Sequence, residues 1–390
     1  MITTEAALAQ LFDLVDVLPS EDVPLRMAAG RVLARNVTAN RDQPPFAASA
    51  MDGYAVCGAA VGATFDVIGE AAAGHAFAGR VDAGQAVRIF TGAPVPEGAD
   101  RVVIQEDVTR KGDAITLNDT LEQARYIYIR PAGGDFTIGT PLKGPRTLTP
   151  SDIALLASMN ISTVPVIRKP VVAIIATGDE LVQPGETPND AQIIASNSYG
   201  LAALFEANGA TVQLLPIACD AVPALELAFE LAHGADLIIT IGGASVGDHD
   251  LVGQVAKTCG MDRAFYKVAM RPGKPLMAGR MGTSAMIGLP GNPVSAMVCG
   301  HIFVLPVIRK MLALGAQPAP RQTATLINTL NANGPREHYM RAHLGPDGVR
   351  VFDRQDSALL SVLSNANCLA IRPANDGTRL PGDLLEIITI

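Results

Sequence analysis

Residues 171 to 313 alternate between short apolar runs and longer amphipathic ones, and that alternation restricts the chain more than any other feature. Length and apolar period predict strands at about 171–176, 211–217, 236–241 and 284–289, with helices at about 197–208, 221–233, 250–259 and 293–313. Strands separated by helices imply a doubly wound, mostly parallel sheet covered on both faces. In such sheets the carboxyl ends of the strands border the ligand crevice. Three of these strand ends open into glycine-bearing turns. Val171 to Ala176 runs into Thr177-Gly178-Asp179-Glu180, and Leu237 to Ile241 into Gly242-Gly243-Ala244-Ser245-Val246-Gly247. Ser284 to Leu289 runs into Pro290-Gly291-Asn292-Pro293-Val294-Ser295. Three turns of one type on one sheet are expected to face one space.

The residues in these turns have a common chemistry. Small residues let a ligand approach the backbone, exposed N–H groups suit an anion, and the carboxylates of Asp248 and Asp250 suit a hard cation. A tight βα turn with an acidic helix start accounts for that stretch equally well when it is taken alone. Pro293 fits the first turn of the helix that follows, with Asn292 as its N-cap. Between the second and third turns lie Lys267 and Arg271-Pro272-Gly273-Lys274-Pro275, three cations on a segment stiffened by two prolines. Restrained cations hold a dianion with little loss of side-chain entropy.

A length of 390 residues suggests two to four domains, and hydrophobic content of 48% supplies ample core. A net charge of −8 argues against a general nucleic-acid binder. Cys57, Cys219, Cys259, Cys299 and Cys368 are scattered without metal-ligand spacing, and a reduced state is expected. Met1 to Leu18 reads as an amphipathic helix and not a signal peptide. Pro306 and Arg309 interrupt the most apolar helix, so no membrane span or anchor and a cytoplasmic location are expected. A second helical stretch, Thr149 to Met159, should pack against the first. Between them, residues 42 to 140 hold short alternating runs such as Ala86 to Phe90 and Arg125 to Ile129, which read as a β-rich insertion.

The glycine turns, the Arg271-to-Pro275 segment and the Leu289-to-Ser295 turn resemble the molybdopterin molybdenumtransferase family, molybdate-inserting enzymes of molybdenum cofactor synthesis related to the E domain of gephyrin. Pro44-Pro45-Phe46, Ser49 to Val56, Phe90 to Asp100, Arg130 to Asp135, Thr177 to Leu181, and Ala366 through Asp383 extend the resemblance, in order, over nearly the whole chain. It implies a helical linker and dimerisation region (1–41 with 141–168), a β-rich inserted domain (42–140), an α/β molybdopterin-binding domain (169–317) and a small C-terminal β-barrel (318–390).

The resemblance also implies roles. Asp52, Asp135, Glu180, Asp220 and Asp250 fall where the family has functional acids, each of which is otherwise an ordinary turn or helix-start carboxylate. Lys267, Arg271 and Lys274 become catalytic cations; Arg271 stands where many relatives have lysine. Substrate contacts are expected from Thr91, Thr177, Gly178, Gly242, Gly243, Ser245, Gly247, Pro290, Pro293, Arg336 and Ser357, and Mg²⁺ ligation from Asp250, Glu180 and Asp52. His249 is expected at the surface or behind the site. The implied substrates are molybdate and adenylyl-molybdopterin, and AMP is the leaving group. A homodimer with a shared active site, working with molybdopterin adenylyltransferase and other cofactor-synthesis proteins, completes the expectation. An adenylyltransferase-like enzyme and a gephyrin-like scaffold are the alternatives.

Overall fold

The computed structural model describes residues 1–118, 126–243 and 251–390 and resolves into two compact units. The larger comprises Met1–Glu21, Gly30–Ala34 and Val166–Ile390; the smaller comprises Asp22–Ala29 and Arg35–Pro165.

The larger unit is organised by a six-stranded sheet in the order Thr211–Leu214, Val171–Ala176, Leu237–Ile241, Ser284–Leu289, Met277–Met281, Met261–Tyr266. The first four strands run parallel. Side chains alternate between two cores. Ala173, Ile175, Ile238 and Met286 face helices Val222–Leu231 and Leu251–Thr258, while Val172, Ile174, Ile239 and Ile287 face helix Asn197–Ala207 and the helix that begins at Pro293. Burial on both faces explains why these strands read as continuous apolar runs.

Strand Met277–Met281 runs antiparallel to both of its neighbours, a departure from uniform parallel winding. The connections force it. Only Gly282 and Thr283 separate Met281 from Ser284, and a two-residue link makes a hairpin, whereas a parallel return needs a dozen residues or more.

Pro306 does not stop the long apolar helix. It runs through Pro293–Met311, with a π-helical turn at Gly300–Val304 directly before the proline. That wider turn relieves the proline's missing N–H and its clash with the preceding turn. By length and composition this helix could cross a membrane, contrary to the expectation of no such run. However, 72% of its apolar window is buried inside the unit, as befits a core helix.

The helix Thr4–Asp13 buries Ala7, Leu8 and Leu11 in the same core, and its terminal carbonyls accept from Lys310 Nζ (2.6 Å to Phe12 O) and Arg280 (2.8 Å to Leu14 O). Cations at a helix C-terminus complement its dipole. The second helix, Pro150–Ser158, belongs to the smaller unit, where it packs against Leu25–Met27 and carries a capping box from Thr149 and Asp152. The two helices thus belong to different units, and each covers an apolar surface of its own unit.

Residues beyond 320 form a small barrel from strands Gln322–Thr325, Glu337–Gly345, Gly348–Val351, Cys368–Arg372 and Leu384–Thr389. A bridge from Leu326 to Val349 closes it. The short strand Met270–Arg271 pairs with Glu337 and His338, tying the cationic segment to the barrel.

The smaller unit is built on a mixed six-stranded sheet, Arg101–Ile104, Gly53–Val56, Gln85–Ile89, Thr64–Ala71, Ala114–Leu117, Val108–Lys111. Of the alternating run expected at 125–129, only Ile129 enters a strand, and Arg125 lies outside the described residues. Tyr128, at φ 44°, turns the chain away from extended geometry.

Candidate functional site

The three glycine-bearing turns converge. Thr177 N–H donates to Ile241 O (3.0 Å) and Gly242 N–H to Leu289 O (3.2 Å), so each strand end is stitched to its neighbour. A Cβ added at Gly291 would stand 3.6 Å from Gly242 Cα, and one at Gly242 only 2.7 Å from Thr177 O. Glycine is required at Gly242 on two grounds, this approach and its φ of +95°. Together the turns line a cavity of about 550 Å³ with Glu180, Asp220 and Pro275 on its walls. Pro290 and Pro293 also line it.

The acids on its rim repel one another. Asp220 N–H donates to Asp179 Oδ1 (3.0 Å), and Glu180 folds back so far over Gly178 that a Cβ there would lie 2.3 Å from Glu180 Oε2. Burial, then the Asp179 and Glu180 charges, push the Asp220 carboxyl above the usual carboxylate range. A raised acid pKa disfavours the folded state once the group is ionised. Asp220→Asn is therefore expected to keep or raise the melting temperature while weakening any Mg²⁺-dependent activity. Thermal melts beside a Mg²⁺ titration of activity check it, and a lowered melting temperature would count against the repulsion.

None of Lys267, Arg271 and Lys274 lines this cavity. Lys274 is half-buried next to Pro275, and its carbonyl accepts from Val268 and Leu276. Lys267 sits at φ +72° with its ammonium 4.8 Å from the Tyr266 ring centroid, a cation–π contact. Arg271 lines a second, polar cavity of about 340 Å³ with His338, Gln355 and Arg372. Arg336 donates to Met270 O at 3.3 Å. Ser357 braces the third turn: its carbonyl accepts from Val294 N–H (3.0 Å) and its hydroxyl contacts Asn292 Nδ2 (3.1 Å).

Asp52, Thr91 and Asp135 belong to the smaller unit. The Asp52 carboxylate accepts from both the N–H (2.7 Å) and hydroxyl (2.8 Å) of Thr91. Those two bonds, with Arg88 nearby, hold it below the usual carboxylate range although it is open to water. Arg88 is itself fixed between the rings of Tyr54 (5.0 Å) and Phe90 (4.8 Å). Thr91 thus orients Asp52. Asp135 is exposed on its loop, its N–H donating to Gln43 O.

Comparison with known proteins decides the family. The MoeA N-terminal region (domain I and II) matches residues 2–160, the probable molybdopterin binding domain residues 173–310, and the MoeA C-terminal region (domain IV) residues 323–390. A molybdopterin molybdenumtransferase of Nostoc sp. is 36% identical over 94% of this chain and 88% of its own length. One from Haemophilus influenzae is 33% identical over 99% of this chain and 98% of its own. The chain belongs to the molybdopterin molybdenumtransferase family. The molybdopterin biosynthesis MoeA protein of Pyrococcus horikoshii has the same fold, with a TM-score of 0.84 at 27% identity over 100% of both chains.

In this family member, sequence reasoning overlooked one wall of the cavity. Leu181, Ile193 and Ile194 form an apolar side, and Ser196 and Asn197 a polar corner, from the stretch that leads into helix Asn197–Ala207 and from its first residue. Their signal was weak because two-residue strands, Leu181–Val182 and Ile193–Ile194, leave no period to read. The expected N-cap bond from Asn292 also differs. Asn292 holds the N-cap position, but its side chain turns to Ser357. Ser245, Gly247, Asp248, His249 and Asp250 lie outside the described residues.

For Mg²⁺ the donor set is suitable though small. Among the described residues no group of three potential ligands is assembled, but Glu180 and Asp220 supply two oxygen ligands on one wall. Mg²⁺ commonly takes one or two carboxylates together with substrate phosphates. Asp52 lies in the smaller unit, where its carboxylate accepts from Thr91.

Proposed function

We propose that this protein acts in molybdenum cofactor biosynthesis as the transferase that inserts molybdate into adenylyl-molybdopterin, giving Mo-molybdopterin and AMP. The observation that carries this reading is the convergence of Thr177-Gly178, Gly242-Gly243 and Pro290-Gly291 on one acid-rimmed cavity, in a chain of this family. The glycine turns, continued in sequence by Ser245 and Gly247, cradle the pyrophosphate through backbone N–H groups. Lys274 and Arg271, together with Lys267 and Arg336, offset the negative charge of the pterin ligand so that a second dianion can approach. Asp250, Glu180 and Asp52 are the ligands for Mg²⁺, and Asp220 stands with Glu180 on the cavity wall. Bound there, the ion supplies charge neutralisation for the departing AMP.

Asp52 and Asp135 of one copy complete the cavity of a second in a homodimer. Thr91 keeps Asp52 ionised for that role. The protein works in the cytoplasm, receives its substrate from molybdopterin adenylyltransferase and passes the product to other cofactor-synthesis proteins, with no part played by nucleic acid or a membrane. Purified protein is expected to release AMP from adenylyl-molybdopterin only when molybdate and Mg²⁺ are both present, and Asp250→Asn is expected to abolish that release. Tight pterin binding without AMP release would overturn the transferase reading.

A further inference from the structure

The third turn of the cavity has few backbone donors of its own. Pro290 and Pro293 have no N–H, so within Pro290-Gly291-Asn292-Pro293 half of the backbone donors are missing. Gly291 adds conformational freedom at the centre, and it packs closely against Gly242. Two side-chain amides restrain the turn from opposite sides. Asn197, the first residue of helix Asn197–Ala207, donates from Nδ2 to Gly291 O at 2.7 Å. Asn292 reaches Ser357 Oγ at 3.1 Å, next to the bond from Val294 N–H to Ser357 O.

The Asn292 amide is not used where its position predicts. Ser196 and Asn197 open a helix that has no side-chain N-cap bond, and Asn292 opens another without one. Asn292 gives up capping, usually worth about 1 kcal/mol, to brace the turn, and Asn197, one residue past the N-cap Ser196, braces it from the other side. Asn197 and Asn292 line the cavity as well.

We propose that Asn197 and Asn292 are positioning residues that clamp the Pro290–Pro293 turn, with Asn197 setting the distance between that turn and the glycine turn at Gly242. Asn197 acts through the Gly291 carbonyl, so it tunes how the cavity grips the adenylate phosphate. This inference rests on the function proposed above for its substrate but not for its geometry.

Asn197→Asp tests it with almost no change of shape. At neutral pH the introduced carboxylate faces the Gly291 carbonyl as a second acceptor and repels it. Losing the bond and displacing the turn should lower kcat/KM for molybdate-dependent AMP release, and weaken AMP affinity, by about tenfold to a hundredfold. As pH falls through the carboxylate range the introduced group regains a proton and can donate to Gly291 O again. The ratio of variant to wild-type AMP affinity should then recover, which a loss of general stability would not produce. Asn208→Asp, which removes a bond to Leu204 O at another helix end, is the control and should leave both readouts unchanged.

AMP affinity measured by calorimetry separates the two readings. Wild-type protein that binds AMP through the clamp but releases none from adenylyl-molybdopterin would remove the proposed reaction and keep the clamp. Unchanged AMP affinity in Asn197→Asp overturns the clamp, as does a loss that persists at low pH and follows a lowered melting temperature.

Discussion

Gly243→Ala is expected to destabilise the larger unit by about 2–5 kcal/mol and to reduce AMP affinity by about a hundredfold. Two independent effects act at this position. Gly243 has φ +65°, where any residue with a Cβ loses about 1–2 kcal/mol. Its Cβ would also lie 2.1 Å from Val252 Cγ2, and Val252 is fully buried between helix Leu251–Thr258 and the sheet. Relief requires either the helix or the turn to move. Movement of the helix repacks the core around Ala256 and Met286, and movement of the turn displaces the cavity floor against Thr177. Gly345→Ala is the matched control, since a Cβ there meets nothing within 4 Å. Urea unfolding midpoints and AMP calorimetry on both variants decide it. Wild-type stability in Gly243→Ala would mean that the strand end is looser than its contacts indicate.

Asp376→Asn is expected to cost about 3–5 kcal/mol in the barrel, the usual loss when one partner of a buried ion pair is removed. Arg372 is only 1% exposed, and Asp376 accepts from both Arg372 Nε and Arg379. The remaining guanidinium bonds, to Asn331 O and Gly377 O, reach neutral carbonyls and leave the charge uncompensated. The same pair sets a pH dependence. The hydrogen bond from Arg379, and then that from Arg372, hold the Asp376 carboxyl below its ordinary value against the effect of burial. A depressed acid pKa contributes stability that is present above the unfolded value, about 3.9, and lost as pH falls through the folded value. Melting curves of wild type and variant should therefore differ most near neutrality and converge in acid below about pH 4. A gap that stays constant down to acid unfolding would remove the ion pair from the account.

The α/β core was legible because its strands and helices repeat one pattern. Strands at 171–176 and 284–289 match the structure, and the helix expected at 197–208 spans Asn197–Ala207. The antiparallel end of the sheet was harder to read. Met261–Tyr266 and Met277–Met281 have mixed polarity at a sheet edge, and the Pro-Gly-Lys-Pro segment between them resembles a loop. Pro306 misled for a different reason: a rule for isolated helices was outweighed by the burial of most of Pro293–Met311 and by the π-helical turn at Gly300–Val304.

Sequence by itself determined the chemical inventory of the site: glycines where backbones approach, prolines that restrict a turn, carboxylates at strand ends, and three cations on one stiff segment. Those follow from residue type and short-range spacing, which the chain carries locally. Only the tertiary structure decided which of them share a space. It gathered Thr177, Glu180, Asp220, Gly242 and Pro290 around one cavity, placed Arg271 at another, and put Asp52 and Thr91 in the smaller unit. It also recruited Asn197 and Asn292, whose sequence positions indicate only helix starts. The reason is physical. Strand order, hairpin length and the choice of partner for each amide are set by packing between residues distant in the chain, and no local pattern encodes that.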